Sequence, residues 1–592
     1  MTATKKYADV VMDWLAADGY THCFFVAGGN SMHLLDGARR TMACIPFVHE
    51  VSAGIAAEYF NEVQSDKRAF VLVTAGPGLT NCLTAMAGAF LESRDLLVLG
   101  GQVKSTDLAA TGMRQRGIQE IDGVALAEPI AKHACRLTEP IERHSFIDLV
   151  HYGRDARKGP VFIEICLDVQ GTPVGTDVDT AVSNPMSTKY VANSEIAQIR
   201  EWLTVSSRPV LLIGGGVSRQ EMQGLTPLIE ATGIPVMTTW NGSDRLGTEH
   251  PLYFGRPNTW GQRSSNVLIQ QSDLVIAAGT RLGMQQTGFN WQSFVPSGRV
   301  VQIDLDECEL VKGHPKIDLG VRGDAGEVLK SVLEDLVVDC SAWVEFCREV
   351  RELLPVDETT NSTHEGYVNP YSFAVSLSAV CNESDIIVPC SSGGAFTVMM
   401  QAFQNKAGQI MVTNKGLASM GYGLAGAIGA SLTDQTRRIV LVEGDGGFSQ
   451  NLQELATIAV NDLPIKVFIF ANEGYASIRM TQRNYFDGQY LGCDTKTGLG
   501  FPDWSLLSRA YGISFLEISN LDQFEAKDFK MLWNSDSPAM FSVRIHPEQT
   551  YYPKITSRVT ESGGMESAPL HLMTPDLEAG LASKVFRYLH SS

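Results

Sequence analysis

The chain of 592 residues carries 47 lysines and arginines against 66 aspartates and glutamates, a formal net charge of -19. With 44% apolar and 19% charged residues it has the composition of a folded protein, which excludes a disordered chain, and at about 100–200 residues per domain its length predicts roughly three to five domains. An acidic chain without a basic block repels phosphate backbones, so nucleic acid is not an expected partner.

The first segment, MTATKKYADVVMDWLAADGY, has charges where a signal peptide needs an apolar run, and reads as an amphipathic helix. From Tyr7 to about Cys166, helical patterns alternate with the strand-like runs THCFFVAGG, FVLVT, LLVLGG and PVFIEI. That order predicts a parallel sheet covered on both faces. Residues 168–194, rich in Thr, Gly, Pro, Ser and Asn, read as a linker. A second α/β block runs through RPVLLIGGG, DLVIAAG and GRVVQIDLD to a helix near 325–337, and a third carries DIIVPC, QIMVT, RRIVLVEGD, IKVFIFAN and AMFSVRI. The expected organisation is therefore three doubly wound parallel-sheet α/β domains over 1–180, 193–345 and 369–560, with a tail over 561–592 that holds one more helix near 577–589. The first and third blocks share one strand–helix rhythm. The most membrane-like segment, LASMGYGLAGAIGASL, is short, built of small residues and closed by Thr433 and Asp434, so it reads as a buried helix and no membrane span is expected. The 11 cysteines are scattered without a CxxC pair, which fits reduced thiols and a cytoplasmic protein.

The chemistry concentrates at IVLVEGDGGFSQNLQELATIAVNDLPIKVFIFANEGYASIR, residues 439–479. One strand runs into Gly444-Asp445-Gly446-Gly447 and the next ends at Asn472. Two neighbouring strand ends bring a carboxylate and an amide oxygen to the carboxyl edge of the sheet, where α/β folds bind ligands. With a backbone carbonyl these groups suit a small octahedral cation such as Mg²⁺, whose open positions take phosphate oxygens and water. The glycines let backbone N–H groups approach a diphosphate at a helix start. Taken alone, GDG is equally a strand-end turn beside a surface amide.

GDGG followed by Asn472 resembles the cofactor motif of thiamine diphosphate-dependent enzymes, and the resemblance extends over nearly the whole chain, nearest to the acetohydroxyacid synthase (acetolactate synthase large subunit) group. FFVAGGNSMHLLDG resembles that group's first glycine turn, FVHEVSAGIAAEYF places Glu50 at the glutamate that contacts the cofactor's pyrimidine, VLVTAGPGLTN resembles its TSGPG turn, and RQRGIQE places Gln119 at its active-site glutamine. TNKGLASMGYGLAGAIGA resembles the loop that carries the aminopyrimidine, with Met420 under the bent cofactor and the Ala418 carbonyl accepting from its amino group. The family's Asn-Asn pair before the metal is here Ala471-Asn472, which keeps the ligand.

The resemblance implies thiamine diphosphate and Mg²⁺ as cofactors. Asp445, Asn472 and the Gly474 carbonyl would ligate the metal. The cofactor would meet Gly28, Gly29, Pro77 and Glu50 on one side, and Ala418, Met420, the 444–447 turn and Tyr475 on the other. Glu50, as a shielded carboxyl, would share a proton with the pyrimidine nitrogen, and Gln119 would donate to a developing oxyanion; these two are the catalytic assignments. Each residue has a plain alternative: Glu50 as a helix-start glutamate, Met420 as core, His33 as a structural histidine rather than part of the substrate mouth. Asn30, His33 and Arg479 are the candidate substrate-facing groups.

Glu50 would serve a cofactor held by a second subunit, so self-association as a dimer or tetramer is implied. The central block leaves two readings open. GTRLGMQQTG keeps Arg281 of the family's flavin-contacting GARFDDRVTG, and Asp304 and Asp306 match its acidic strand end, but FGRPNTWGQRSSN replaces the usual glycine-histidine-glycine stretch, so the site holds FAD or has been emptied. NEGYASIRMTQRNYFDGQYLGCD replaces the family's tryptophan-bearing loop and looks more like relatives that add an acetyl unit to a keto-sugar. The expected activity is decarboxylation of a 2-oxoacid, pyruvate above all, with carboligation to a carbonyl acceptor. The alternatives are a thiamine diphosphate-dependent C–C hydrolase of a cyclic diketone, and a regulatory relative without chemistry, against which the joint retention of Glu50, Gln119, Asp445 and Asn472 argues.

Overall fold

The computed structural model describes residues 4–64, 66–175, 193–559, 563 and 565–589. Most of the linker expected over 168–194 lies outside these; its described start forms a short helix, Leu167–Gly171, and a strand, Pro173–Gly175, paired antiparallel with Thr4–Lys6.

Three parallel sheets follow one another along the chain, as the alternating pattern predicts. In the first, six strands lie in the order Ala43–Pro46, Tyr20–Phe25, Arg68–Val73, Leu96–Gln102, Pro160–Cys166, His133–Leu137. The third has the order Ile410–Met411, Ile386–Val388, Ile439–Gly444, Ile465–Ala471, Ala539–Arg544, Ser514–Ile518. Numbered by chain position, these two sheets have the same strand order, so the shared rhythm reflects a shared topology. The middle sheet has five strands in the order Val236–Thr238, Pro209–Ile213, Leu274–Ala278, Arg299–Asp304, Leu319–Arg322. The interior strands are apolar and buried, as helices on both faces of a parallel sheet require.

The glycine- and alanine-rich run forms a helix, Tyr422–Ser431, in which every residue is buried. It packs on the helix Glu50–Val63 of the first domain. Small residues set the closeness of this crossing: a Cβ on Gly429 would lie 2.0 Å from the Ala56 carbonyl oxygen, and one on Gly426 would strike the Tyr59 ring. No helix among the described residues is long and apolar enough to cross a membrane, and none of the 11 cysteines is in a disulfide. The helix expected near 325–337 spans Ala325–Leu333 and that near 577–589 spans Ala579–Val585.

Candidate active site

In the third sheet the parallel strands Ile386–Val388, Ile439–Gly444 and Ile465–Ala471 lie side by side, with Gly444 in register with Phe470. Their carboxyl ends deliver Ser391–Gly394, Asp445 and Asn472 to one edge. Asp445 is 2% exposed. Its Oδ1 accepts from Gly446 N at 2.7 Å, and its Oδ2 accepts from Asn472 N at 3.0 Å and Gly474 N at 3.2 Å. Burial pushes its carboxyl up to about 7 against these donors and the Arg479 guanidinium. A negative charge so desolvated calls for a cation.

Asn472 is buried, and its Oδ1 has no hydrogen-bond partner. Gly474 holds φ +146°, and a Cβ there would lie 2.1 Å from the Cys493 carbonyl oxygen, so only glycine fits. Its carbonyl accepts from Ala476 N at 3.0 Å, which leaves a second lone pair. One buried carboxylate, one amide oxygen without a partner and one backbone carbonyl form a hard-oxygen donor set that fits Mg²⁺ carrying phosphate and water. Gly444 faces open space, Gly446 is covered by the Tyr475 ring, and Gly447 lies over Glu443, whose carboxyl burial pushes up to about 8.

Ala418 and Met420 lie on the segment between Thr413 and Gly421. Ala418 has φ +56°, and Met420 is 37% exposed, so it is not a core methionine. Asn451 Nδ2 donates to Gly421 O at 2.8 Å and Ser391 Oγ donates to Ser419 O, which fixes this segment beside the 391–394 turn.

The first domain gathers its own group at the equivalent edge. Gly28 packs on Thr74 so tightly that a Cβ would lie 2.3 Å away, and Gly29 opens the turn Gly29–Ser31. Asn30 N donates to Thr74 Oγ1 at 3.3 Å, and Asn30 Nδ2 to Ile118 O at 3.4 Å. Gly76, at φ +67°, lies against the Gln119 carbonyl, and Pro77 opens the helix Pro77–Glu92. Gln119 itself is exposed with φ +64°. Glu50 is 8% exposed and accepts from Asn81 Nδ2 at 3.0 Å. It is the first helical residue, as the helix-start reading has it, and the N-cap position is His49, which makes no side-chain cap.

His33 lines a cleft of about 430 Å³ with Met32, Lys104, Leu167 and Asp168. Arg479, expected on the substrate side, is 4% exposed and spends Nη2 on the Asn472 carbonyl at 2.6 Å. Among the described residues no hydrogen bond joins Glu50 or Gln119 to the Asp445 group. The neighbouring backbone does cross over: Val48 N and His49 N donate to Glu454 at 3.4 and 3.1 Å.

Two participants were not singled out from sequence. Gly393-Gly394 follows a strand as GDGG does, and that pattern was a usable signal. Tyr551, whose ring lies 2.8 Å from where a Gly394 Cβ would stand and whose hydroxyl is beside Asn472, carries no motif at all.

Three domain families match the chain in order. The thiamine pyrophosphate enzyme N-terminal TPP binding domain covers residues 5–126, the central domain 196–332, and the C-terminal TPP binding domain 392–543. The chain belongs to the thiamine pyrophosphate enzyme superfamily, in its acetolactate synthase-like group. It is 29% identical to a probable acetolactate synthase large subunit of Methanocaldococcus jannaschii, over 92% of each chain. It is 27% identical to the acetolactate synthase isozyme 2 large subunit of Escherichia coli over 94% of this chain and 99% of that one, and 27% identical to the chloroplastic acetolactate synthase 1 of Nicotiana tabacum over 95% and 86%. As a member of this superfamily the protein is a thiamine diphosphate-dependent enzyme.

The FAD reading of the central domain does not fit as well. The glycines after its first strand pack on each other, a Cβ on Gly214 lying 2.2 Å from the Gly279 carbonyl oxygen. Asp306 caps the helix Glu307–Val311 and pairs with Arg157 of the first domain. These groups are committed to packing and to the contact with the first domain.

Proposed function

We propose that the protein is a Mg²⁺- and thiamine diphosphate-dependent decarboxylase–carboligase that takes an acyl unit from a 2-oxoacid, pyruvate first among them, and transfers it to a carbonyl acceptor, a second 2-oxoacid or a keto-sugar. The observation that carries this is the buried Asn472 Oδ1 without a partner beside the desolvated Asp445 carboxylate.

In this reading Asp445, Asn472 and the Gly474 carbonyl hold the metal. The backbone N–H groups of the 444–447 and 391–394 turns approach the diphosphate, and Ala418 and Met420 set the pyrimidine end. Thiamine diphosphate, when bound, supplies the electron sink for breaking and making a C–C bond next to a carbonyl. Glu50 moves a proton at the pyrimidine nitrogen, and the Gln119 amide donates to the oxygen on which charge develops. Among the described residues Glu50 and Gln119 have no hydrogen bond to the Asp445 group of their own chain, which supports a site completed by a second copy. The exposed apolar side chains Val48, two residues before Glu50, and Ile118, next to Gln119, support such a contact.

The test is a screen of 2-oxoacid donors against 2-oxoacid and keto-sugar acceptors, with carbon dioxide release and product mass recorded together. Carbon dioxide release with a new C–C bond in the product is expected. Cleavage of a cyclic diketone, with no carbon dioxide from any 2-oxoacid, would replace this reading by the hydrolase.

A further inference from the structure

Lys554 is 7% exposed, yet among the described residues no carboxylate lies within ion-pair distance of its ammonium. Nζ reaches Met480 Sδ at 3.0 Å and sits over the rings of Trp260 and Tyr552, 5.2 and 5.6 Å from their centroids. A thioether is a weak acceptor, and ring faces replace only part of the lost hydration. Buried ammonium groups are ordinarily paired. Burial, and then the like charge of Arg483, push this one down to about 8.

Its surroundings tie it to the Asp445 edge. The helix Ala476–Tyr485 leaves the loop that carries Asn472 and Gly474. Arg479 and Arg483, four residues apart on it, share a face, and Met480 between them touches Lys554. Arg479 Nε is buried and has no acceptor. Among the described residues Arg483 pairs only with Glu548, at 2.8 Å and exposed, of the kind that exchanges at little cost. From the other side Tyr551, beside Asn472, precedes Lys554 by three residues, a span of at most about 11 Å. Trp260 closes the group from the central domain, within the stretch that replaces the family's glycine-histidine-glycine.

We propose that Lys554, with Arg483 and the free Nε of Arg479, forms an oxyanion-binding subsite beside the Asp445–Asn472 edge, and that this subsite takes the carboxylate or phosphate group of the second substrate. The physical reason is charge balance: among the described residues no acid lies against Lys554 and Arg483 is its charged neighbour, so a neutral ligand would leave the ammonium uncompensated, whereas an oxyanion supplies its missing partner. The inference rests on the proposed carboligase reading only for which molecule carries the oxyanion.

For the test, the full-length protein is saturated with Mg²⁺ and thiamine diphosphate, so that added phosphate cannot report on the diphosphate site. It is then titrated calorimetrically with inorganic phosphate and, separately, with acetate at constant ionic strength. Saturable binding of at least one probe is expected, tighter phosphate identifying a phosphorylated ligand and tighter acetate a carboxylate. Lys554→Met should weaken that binding by at least about tenfold and Lys554→Arg by no more than about threefold, with thiamine diphosphate affinity unchanged in both. Equal binding by wild type and Lys554→Met, or saturation by neither probe in wild type, overturns the subsite. If Lys554→Met does not fold, Arg483→Gln takes its place; a loss of at least about threefold is expected, and no loss overturns the proposal. A wild type that fails to bind thiamine diphosphate overturns the proposed function instead, and the same Lys554 comparison without cofactor still decides the subsite.

Discussion

Tyr422 donates its hydroxyl to Glu58 Oε2 at 2.9 Å, across the seam where a helix of the first domain crosses a helix of the third. The other oxygen of Glu58 accepts from Arg94 Nη1 at 2.7 Å and Asn414 Nδ2 at 2.9 Å, and Arg94 Nη2 donates to Thr413 O at 2.7 Å. Glu58 is fully buried. The segment with Ala418 and Met420 is thus pinned at both ends by side chains of the first domain in the same chain.

Glu58→Ala leaves the Arg94 guanidinium buried without this partner, which costs about 3–5 kcal/mol in comparable buried pairs. The urea midpoint of the first unfolding transition should fall accordingly. Affinity for thiamine diphosphate should fall with it, because Asn414 and Tyr422 lose the acceptor that fixes their segment. An unchanged unfolding curve would remove the seam from the account.

Asp445→Ala separates ligand binding from folding. Burial already disfavours the charged carboxyl, so without cofactor the variant should unfold at the wild-type midpoint or above it. Mg²⁺ and thiamine diphosphate affinities should drop together by at least about a hundredfold, since a metal held by Asp445 would also take phosphate oxygens of the diphosphate. Calorimetry with both ligands is the check, and retained affinity for either would contradict the assignment.

Glu50→Gln keeps an amide oxygen that can accept from Asn81. With His49 as the N-cap position and no side-chain cap to lose, the unfolding midpoint should move little. Thiamine diphosphate should still bind, while exchange of its C2 proton, followed by NMR, slows by at least about tenfold through loss of a general acid–base group. Wild-type exchange in the loaded variant would exclude the proton-transfer role.

His571 lies against the Phe586 ring, and burial pushes its imidazole down to about 4 from the usual 6.5. The folded state therefore disfavours the proton. Its contribution is fully present above about pH 6.5 and is lost progressively as the pH falls toward 4. His571→Gln should flatten that part of the stability profile, by on the order of 1–3 kcal/mol at pH 4 relative to wild type. Parallel pH profiles of the two proteins would contradict the shift.

Interior strands were legible because each is a nearly continuous apolar run, broken only by Glu443 and Lys466: LLVLGG, PVLLI, IVLVEG and IKVFIFA are buried on both faces. Within the three parallel sheets the strands that composition did not reveal, Ala43–Pro46, His133–Leu137, Val236–Thr238, Leu319–Arg322 and Ser514–Ile518, all lie at sheet edges, and all but Val236–Thr238 are partly exposed, so they lack a continuous apolar run.

The sequence by itself determined the Asp445–Asn472–Gly474 group, because its three members follow two consecutive strands and the topology of parallel sheets carries both ends to one edge. Only the tertiary structure decided the rest. Tyr551 and Lys554 reach that edge through a chain segment without periodicity, Trp260 comes from another domain, and the charge imbalance at Lys554 depends on which acids are absent nearby in space, a property that no local pattern encodes. It also decided that Glu58 holds the segment with Ala418 and Met420 of its own chain, since that contact needs glycines on one helix to meet alanine and tyrosine on another across more than 300 residues of chain.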